Sequence, residues 1–231
     1  MIPKIIHVIW LGDNPPTKIK EDLFSWTKLL WANGYSLMFW NDENIQPLIE
    51  GTNIKRAYDL KAYAMVSNYI RCKVLYEYGG IYLDTDIEVF KPFDSILHLN
   101  TYIGLERWTW WEDPTETIDK HMLCFGVMGS APKNPLFNTF CKLITDLPNE
   151  NLWGKDRKSP LQLALKYILE NKPYKVCNTI AEAEVCEKEG KLAIFNAPAF
   201  DSMTKVDAQD YNICDHKYYN LWSKEYEIEE K

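Results

Sequence analysis

DLKAYAMVSNYIRCKVLYEYGGIYLDTDIEVFK, Asp59 to Lys91, is the stretch whose reading decides the fold. Apolar or aromatic residues at Ala62, Val66, Tyr69 and Val74 recur at roughly helical spacing, so Leu60 to Tyr78 is expected as an amphipathic helix that Gly79-Gly80 ends. Ile81-Tyr82-Leu83 is a brief run of β-forming residues, a short strand, and Asp84, Thr85, Asp86 and Glu88 follow at once. Side chains alternate along an extended segment, which puts Asp84 and Asp86 on one side with no cation supplied by sequence neighbours. Like charges in one small volume need a cationic partner. A hard divalent ion such as Mg²⁺ or Mn²⁺ suits carboxylate oxygens and completes its shell with substrate phosphates and water.

A D-x-D alone equally fits a solvated acidic turn. An EF-hand loop needs Gly at its sixth place, where Val89 stands. An aspartyl-phosphate phosphatase would carry Thr or Val two residues after the second Asp, where Glu88 stands. The setting distinguishes this D-T-D: a helix, Gly-Gly and an aromatic strand precede it, and Ser67, Asn68 and Arg71 are spaced to share one face of that helix.

The run S-N-Y-I-R-C-K-V-L-Y-E-Y-G-G-I-Y-L-D-T-D-I-E, with the opening I-P-K-I-I-H-V-I-W-L-G, closely resembles glycosyltransferase family 32. That family holds bacterial capsule and lipopolysaccharide sugar transferases and yeast Golgi mannosyltransferases, and is distantly similar to clostridial glucosylating toxins. The likeness is good up to about Lys91 and loose beyond it. It implies an α/β fold: one GT-A (Rossmann-like) domain over residues 1–231, with a mixed, mostly parallel central sheet flanked by helices. Residues 1–91 would form the nucleotide-binding half and 92–231 the acceptor side and closing segment.

The resemblance also implies a metal-dependent retaining hexosyltransferase that takes a nucleotide-diphosphate sugar, UDP-sugar favoured and GDP-mannose possible. The acceptor would be a saccharide or lipid-linked saccharide, in bacterial surface polysaccharide synthesis. Trp10 would stack on the base near the backbone of Val8 and Ile9, and Asp86 would coordinate Mn²⁺ or Mg²⁺ directly. Asp84 would bind the ribose, or the metal through water, and Arg71 with Asn68 would orient the sugar beside Ser67. Family members usually carry Asp where Asn68 stands, and Asn keeps the hydrogen bonding without the charge. The closing segment resembles the family's His before a Ser-Trp pair, with the order reversed here to Trp222-Ser223. His216 becomes a metal or diphosphate contact and Trp222 a nucleotide or sugar contact.

Composition bounds these readings. A chain of 231 residues, 46% hydrophobic with mixed charge, fits one globular domain with a substantial core. The formal charge of −7 argues against nucleic acid as a general partner. No stretch approaches the ~20 apolar residues that span a bilayer, and no signal-peptide pattern opens the chain. The expectation is a cytoplasmic protein with at most peripheral contact at the inner face of the membrane. Cys72, Cys124, Cys141, Cys177, Cys186 and Cys214 form no C-x-x-C pair and are expected as free thiols.

Lys4 to Trp10 is a near-continuous apolar run, a central strand buried on both faces that delivers its end to the sheet's carboxyl edge. Ile19 to Trp31 is a helix and Tyr35 to Trp40 a second strand, with Asn41-Asp42 capping a short helix. Tyr102 to Glu106 and Leu123 to Gly129 are strands, the latter with glycines that allow close approach. Helices follow Asn134-Pro135 and Ser159-Pro160, Pro173 to Gly190 carries no pattern, and Leu192 to Phe195 is a late strand. Trp108, Trp110 and Trp111 suit an acceptor-saccharide platform, and equally packing or a membrane-interface contact. Two other functions share these features: a nucleotidyltransferase on the same metal and sheet, and a non-catalytic saccharide-binding module.

Overall fold

The computed structural model of the chain describes residues 1–106, 122–148, 159–195 and 213–216. β1 (Ile5–Ile9) lies inside the sheet with its last four residues buried, His7 among them, in keeping with its near-continuous apolar run. It pairs in parallel with β2 (Ser36–Trp40) on one side and with β3 (Gly80–Leu83) on the other. With β5 (Thr101–Glu106), β6 (Met122–Ser130), β7 (Tyr174–Cys177) and β8 (Leu192–Phe195), they form a seven-stranded sheet ordered β2-β1-β3-β6-β5-β8-β7. β6 alone runs against both neighbours, and the other pairings are parallel. This is the mixed, mostly parallel sheet expected. A two-stranded ribbon, β4 (Ile87–Val89) with β9 (Cys214–His216), stands beside it.

Helices cover both faces. α1 (Thr17–Ala32) buries Ile19, Trp26 and Leu30 on one side, together with Ile6, Val8, Ile81 and Leu83. On the other side lie α2 (Gln46–Ile49), α3 (Asn53–Asp59), α4 (Tyr63–Tyr78), α5 (Pro135–Thr145) and α6 (Pro160–Asn171). The last helix, α7 (Ile180–Lys188), packs with β7 and β8.

α4 departs from expectation in two ways. It begins at Tyr63 rather than Leu60, because Lys61, at φ 59°, donates to the Tyr58 carbonyl and Ala62 to that of Ala57, closing α3 instead. Nor is it amphipathic: Met65, Val66, Ser67, Tyr69, Ile70, Arg71, Cys72, Val74 and Leu75 are all buried, since α3 and α5 cover the face away from the sheet. Ile70, Val74 and Leu75 are fully buried, each worth about 1.5–3 kcal/mol. Gly79 and Gly80, at φ 67° and 101°, then turn the chain into β3. A Cβ at Gly80 would stand 2.5 Å from the Ile5 carbonyl oxygen, so no other residue fits.

The stretch from Pro173 to Gly190, featureless in sequence, holds β7 and the whole of α7. Thr179 caps the helix by accepting from the Glu182 amide at 3.0 Å, and Glu182 accepts from the Asn178 amide at 2.7 Å. None of the six cysteines is in a disulfide, as their spacing suggested. Among the described residues no helix is long and apolar enough to cross a membrane.

Candidate active site

β1 and β3 are parallel neighbours, yet β2 follows β1 on one side of it and β3 lies on the other. The strand order therefore reverses between them, and open α/β sheets bind ligands outside the carboxyl ends of strands at such a point. The segments that leave the sheet here are Trp10–Pro16 and Asp84–Asp86.

The loop after β1 is held in place. Gly12, at φ 85°, donates its amide to the Asp42 carboxylate at 3.0 and 3.3 Å, and the Tyr58 hydroxyl donates to the same carboxylate at 2.7 Å. Val8 and Ile9 bury their side chains in the core. Trp10, half-buried, donates its indole N–H to the Asp13 carbonyl at 2.6 Å.

After β3 the chain does not continue extended, as alternation suggested. The Ile87 amide donates to the Asp84 carbonyl at 3.1 Å, so Asp84-Thr85-Asp86-Ile87 is a turn between β3 and β4. The Asp84 amide still donates to Gly126 of β6 at 2.8 Å, which fixes where the turn starts. Burial alternates through it: Thr85, Ile87 and Val89 are buried, while Asp84, Asp86 and Glu88 are half-buried.

The premise that no cation neighbours these carboxylates holds along the sequence and fails in space. Arg71 reaches Asp84 from α4, with Nη2 3.2 Å from Oδ1 and Nη1 3.4 Å from Oδ2. Tyr82 donates its hydroxyl to Asp84 Oδ1 at 2.5 Å. Arg71 is only 6% exposed rather than a surface helix residue, and its other donors are spent too. Nη1 bonds the Phe125 carbonyl at 2.8 Å, Nη2 the Ser67 hydroxyl at 3.0 Å, and Nε the Ser67 carbonyl at 3.3 Å. The guanidinium also lies over the Tyr82 ring, 4.5 Å from its centroid. Burial works against the Arg71 charge, but the Asp84 carboxylate together with Tyr82, Cys72 and Cys124 offsets it and holds the guanidinium above its usual range. Burial likewise pushes the Tyr82 hydroxyl well up, so it stays a donor to Asp84.

Ser67, Arg71 and Asp84 thus form one network. Asn68, half-buried beside Ser67, has no side-chain hydrogen bond to any described residue. His216 pairs through its backbone with Ile87, the residue after Asp86, so β9 returns the chain end to the D-T-D turn. Trp222 and the platform residues Trp108, Trp110 and Trp111 lie outside the described residues. Tyr82, Phe125 and Asp42 are additions to the sequence reading. Alternation places Tyr82 on the Asp84 side, but nothing in sequence places Phe125 or Asp42 there.

A divalent cation fits the donor chemistry of this turn. Asp84 and Asp86 offer hard oxygens, while Asp84 is already shared with Arg71 and Asp86 is half-buried. Among the described residues no three His, Cys, Asp or Glu side chains are grouped so as to hold a metal ion by themselves. A recess of about 430 Å³ lined by Thr52, Asn53, Tyr69, Lys73, Asn138 and Lys142 shares no residue with this network.

Sheet order, the reversal between β1 and β3 and the acidic turn after β3 define an open, mostly parallel α/β domain with its ligand-binding edge at that reversal. Residues 16–103 match the family described as the glycosyltransferase sugar-binding region containing DXD motif. An uncharacterized glycosyltransferase of Acanthamoeba polyphaga mimivirus is 27% identical over 148 residues, 62% of this chain and 55% of that protein. Inositol phosphoceramide mannosyltransferase 1 of Schizosaccharomyces pombe is 28% identical over 110 residues, 44% of this chain and 33% of that protein. Inositol phosphoceramide mannosyltransferase 2 of the same yeast is 27% identical across 96% of this chain and 57% of its own length. The chain thus spans between about a third and just over half of these relatives. Among solved structures, the PaToxG glycosyltransferase aligns with a TM-score of 0.48 at 18% identity, covering 74% of this chain and 70% of that one.

Proposed function

We propose that the chain is a metal-dependent retaining glycosyltransferase that moves a hexose from a nucleotide-diphosphate sugar to a saccharide or lipid-linked saccharide acceptor. The observation that carries this is the position of the D-T-D turn: it leaves the sheet where the strand order reverses, with a buried arginine fixed against its first carboxylate. The matched family region and the relatives named as mannosyltransferases support the same class.

Asp86 would be the direct ligand of Mn²⁺ or Mg²⁺, Asp84 would bind the ribose or reach the ion through water, and His216 would contact the ion or the diphosphate. A cation held there would supply positive charge against the negative charge developing on the leaving diphosphate. The chain's own residues do the rest. Arg71, locked by Ser67 and the Phe125 carbonyl, cannot swing away, so Asp84 keeps one orientation toward the ribose or the ion. Asn68 offers an uncharged amide to sugar hydroxyls. Trp10, Val8 and Ile9 receive the base at the end of β1, and Trp222 closes on the nucleotide or sugar. Trp108, Trp110 and Trp111 carry the acceptor.

A UDP-sugar is the favoured donor by likeness to the bacterial and toxin members of the family. GDP-mannose is the second candidate: the family resemblance supplies the nucleotide, and the yeast relatives are named mannosyltransferases. A place in bacterial surface polysaccharide synthesis rests on the family resemblance. The test is thermal stabilisation by UDP, GDP and ATP, each with and without Mn²⁺, followed by mass spectrometry of products from a panel of nucleotide sugars. Manganese-dependent stabilisation by a nucleoside diphosphate with release of that diphosphate supports the reading. Cleavage of a nucleoside triphosphate to pyrophosphate, or stabilisation by oligosaccharide alone, overturns it.

A further inference from the structure

The sheet's two edges are finished differently. β7 follows Pro173 and carries an exposed Lys175, both common guards against strand-to-strand association. β2, Ser-Leu-Met-Phe-Trp, has neither proline nor lysine, and its pairing with β1 runs without a bulge. No charged residue occurs from Trp31 to Asn41.

Hydrogen bonding shows which groups of β2 face outward. The Ser36 amide donates to the Lys4 carbonyl at 2.9 Å, and the Trp40 carbonyl accepts from the Trp10 amide at 2.9 Å. In a parallel ladder this register spends the backbone groups of Ser36, Met38 and Trp40 on β1 and leaves those of Leu37 and Phe39 outward. Two neighbouring groups are already satisfied within the chain. The Tyr35 amide donates to Leu30 at 3.1 Å, and the Phe39 carbonyl accepts from Asn44 Nδ2 at 2.9 Å. Left over are the Tyr35 carbonyl, both groups of Leu37 and the Phe39 amide, which have no partner among the described residues.

That remainder is complementary to itself. Consider a second copy laid antiparallel with a two-fold axis at Leu37. Leu37 then exchanges two bonds with the partner's Leu37, and each Phe39 amide meets the other copy's Tyr35 carbonyl. All eight leftover groups, four from each strand, are satisfied, and the two groups this pairing does not use are those bonded internally. Leu37 and Phe39, 45% and 38% exposed, share one side of the strand and would be covered. Two chains of formal charge −7 repel each other, so a self-contact favours an uncharged surface, and the stretch from Trp31 to Asn41 supplies one. We propose that the chain forms a two-fold dimer by antiparallel pairing of β2 with β2, joining two seven-stranded sheets. This stands independently of the glycosyltransferase reading.

The test is sedimentation equilibrium of the full chain over a concentration series, with far-UV circular dichroism confirming the fold of each variant. The wild type is expected at twice the mass of one chain. Leu37→Lys places like charges opposite each other across the axis and is expected to raise the dissociation constant at least about tenfold. Leu37→Pro removes only an outward amide, leaves the β1 ladder intact and is expected to give monomer. Lys175→Ala, at the other edge, is expected to change nothing. A wild type that sediments as one chain throughout the series overturns the proposal. So does a folded Leu37→Lys that dimerises as tightly as wild type, whatever the proline variant does.

Discussion

Two polar clusters flank β3, and they are built to opposite ends. At its amino end His7 is fully buried, takes the Trp40 indole N–H on Nδ1 at 3.1 Å and bonds the Gly79 carbonyl through Nε2 at 2.7 Å. These partners fix the neutral tautomer, and burial holds the His7 pKa down at about 4. At the carboxyl end Arg71 is as fully engaged, but the carboxylate it holds is 22% exposed, and Asp86, two residues on, is half-buried. A cluster closed on every side fixes a fold. One closed behind and open in front positions groups for something that arrives.

The contrast is broken most severely by Asp86→Asn, expected to lower sugar-donor turnover by about a thousandfold while leaving thermal stability nearly unchanged. Equal turnover would remove Asp86 from the site. Arg71→Ala is expected to act the other way round on stability. It strands Asp84 beside a buried gap and costs about 3–5 kcal/mol in urea unfolding, besides its effect on activity.

At the closed end the expectation concerns pH. His7 binds a proton in the unfolded chain near pH 6.5 but in the folded chain only near pH 4, so within that window the unfolded state holds more protons. Stability from His7 is therefore complete above pH 6.5 and lost as pH falls toward 4, by about 3 kcal/mol. A His7→Phe variant should show a flatter stability profile across that window, and an unchanged profile would contradict the assignment. The smallest effect expected is from Asn68→Asp, a few-fold change in donor KM with no change in melting temperature.

Much of this was legible in the sequence because local chemistry decides it. The apolar run of β1, the Gly79-Gly80 break and the short strand before D-T-D each follow from residues that allow few alternatives. The Thr179 and Glu182 spacing also carries a capping signal, which the mixed charge around it obscures. What sequence could not supply was distance. Arg71 and Asp84 are thirteen residues apart and meet only because α4 folds back over β3, and Phe125 joins them from β6. The burial of α4 on all sides was hidden for the same reason, since its outer cover comes from α3 and α5. The D-T-D turn misled because alternation presumes an extended chain, and the Ile87 amide closes the turn instead.

The most direct measurement is manganese-dependent release of nucleoside diphosphate from nucleotide sugars by wild type and by Asp86→Asn, side by side. The account predicts metal-dependent release by the wild type and its loss in a variant that melts at the same temperature. Release that continues undiminished in that variant, or that ignores manganese in the wild type, would contradict it.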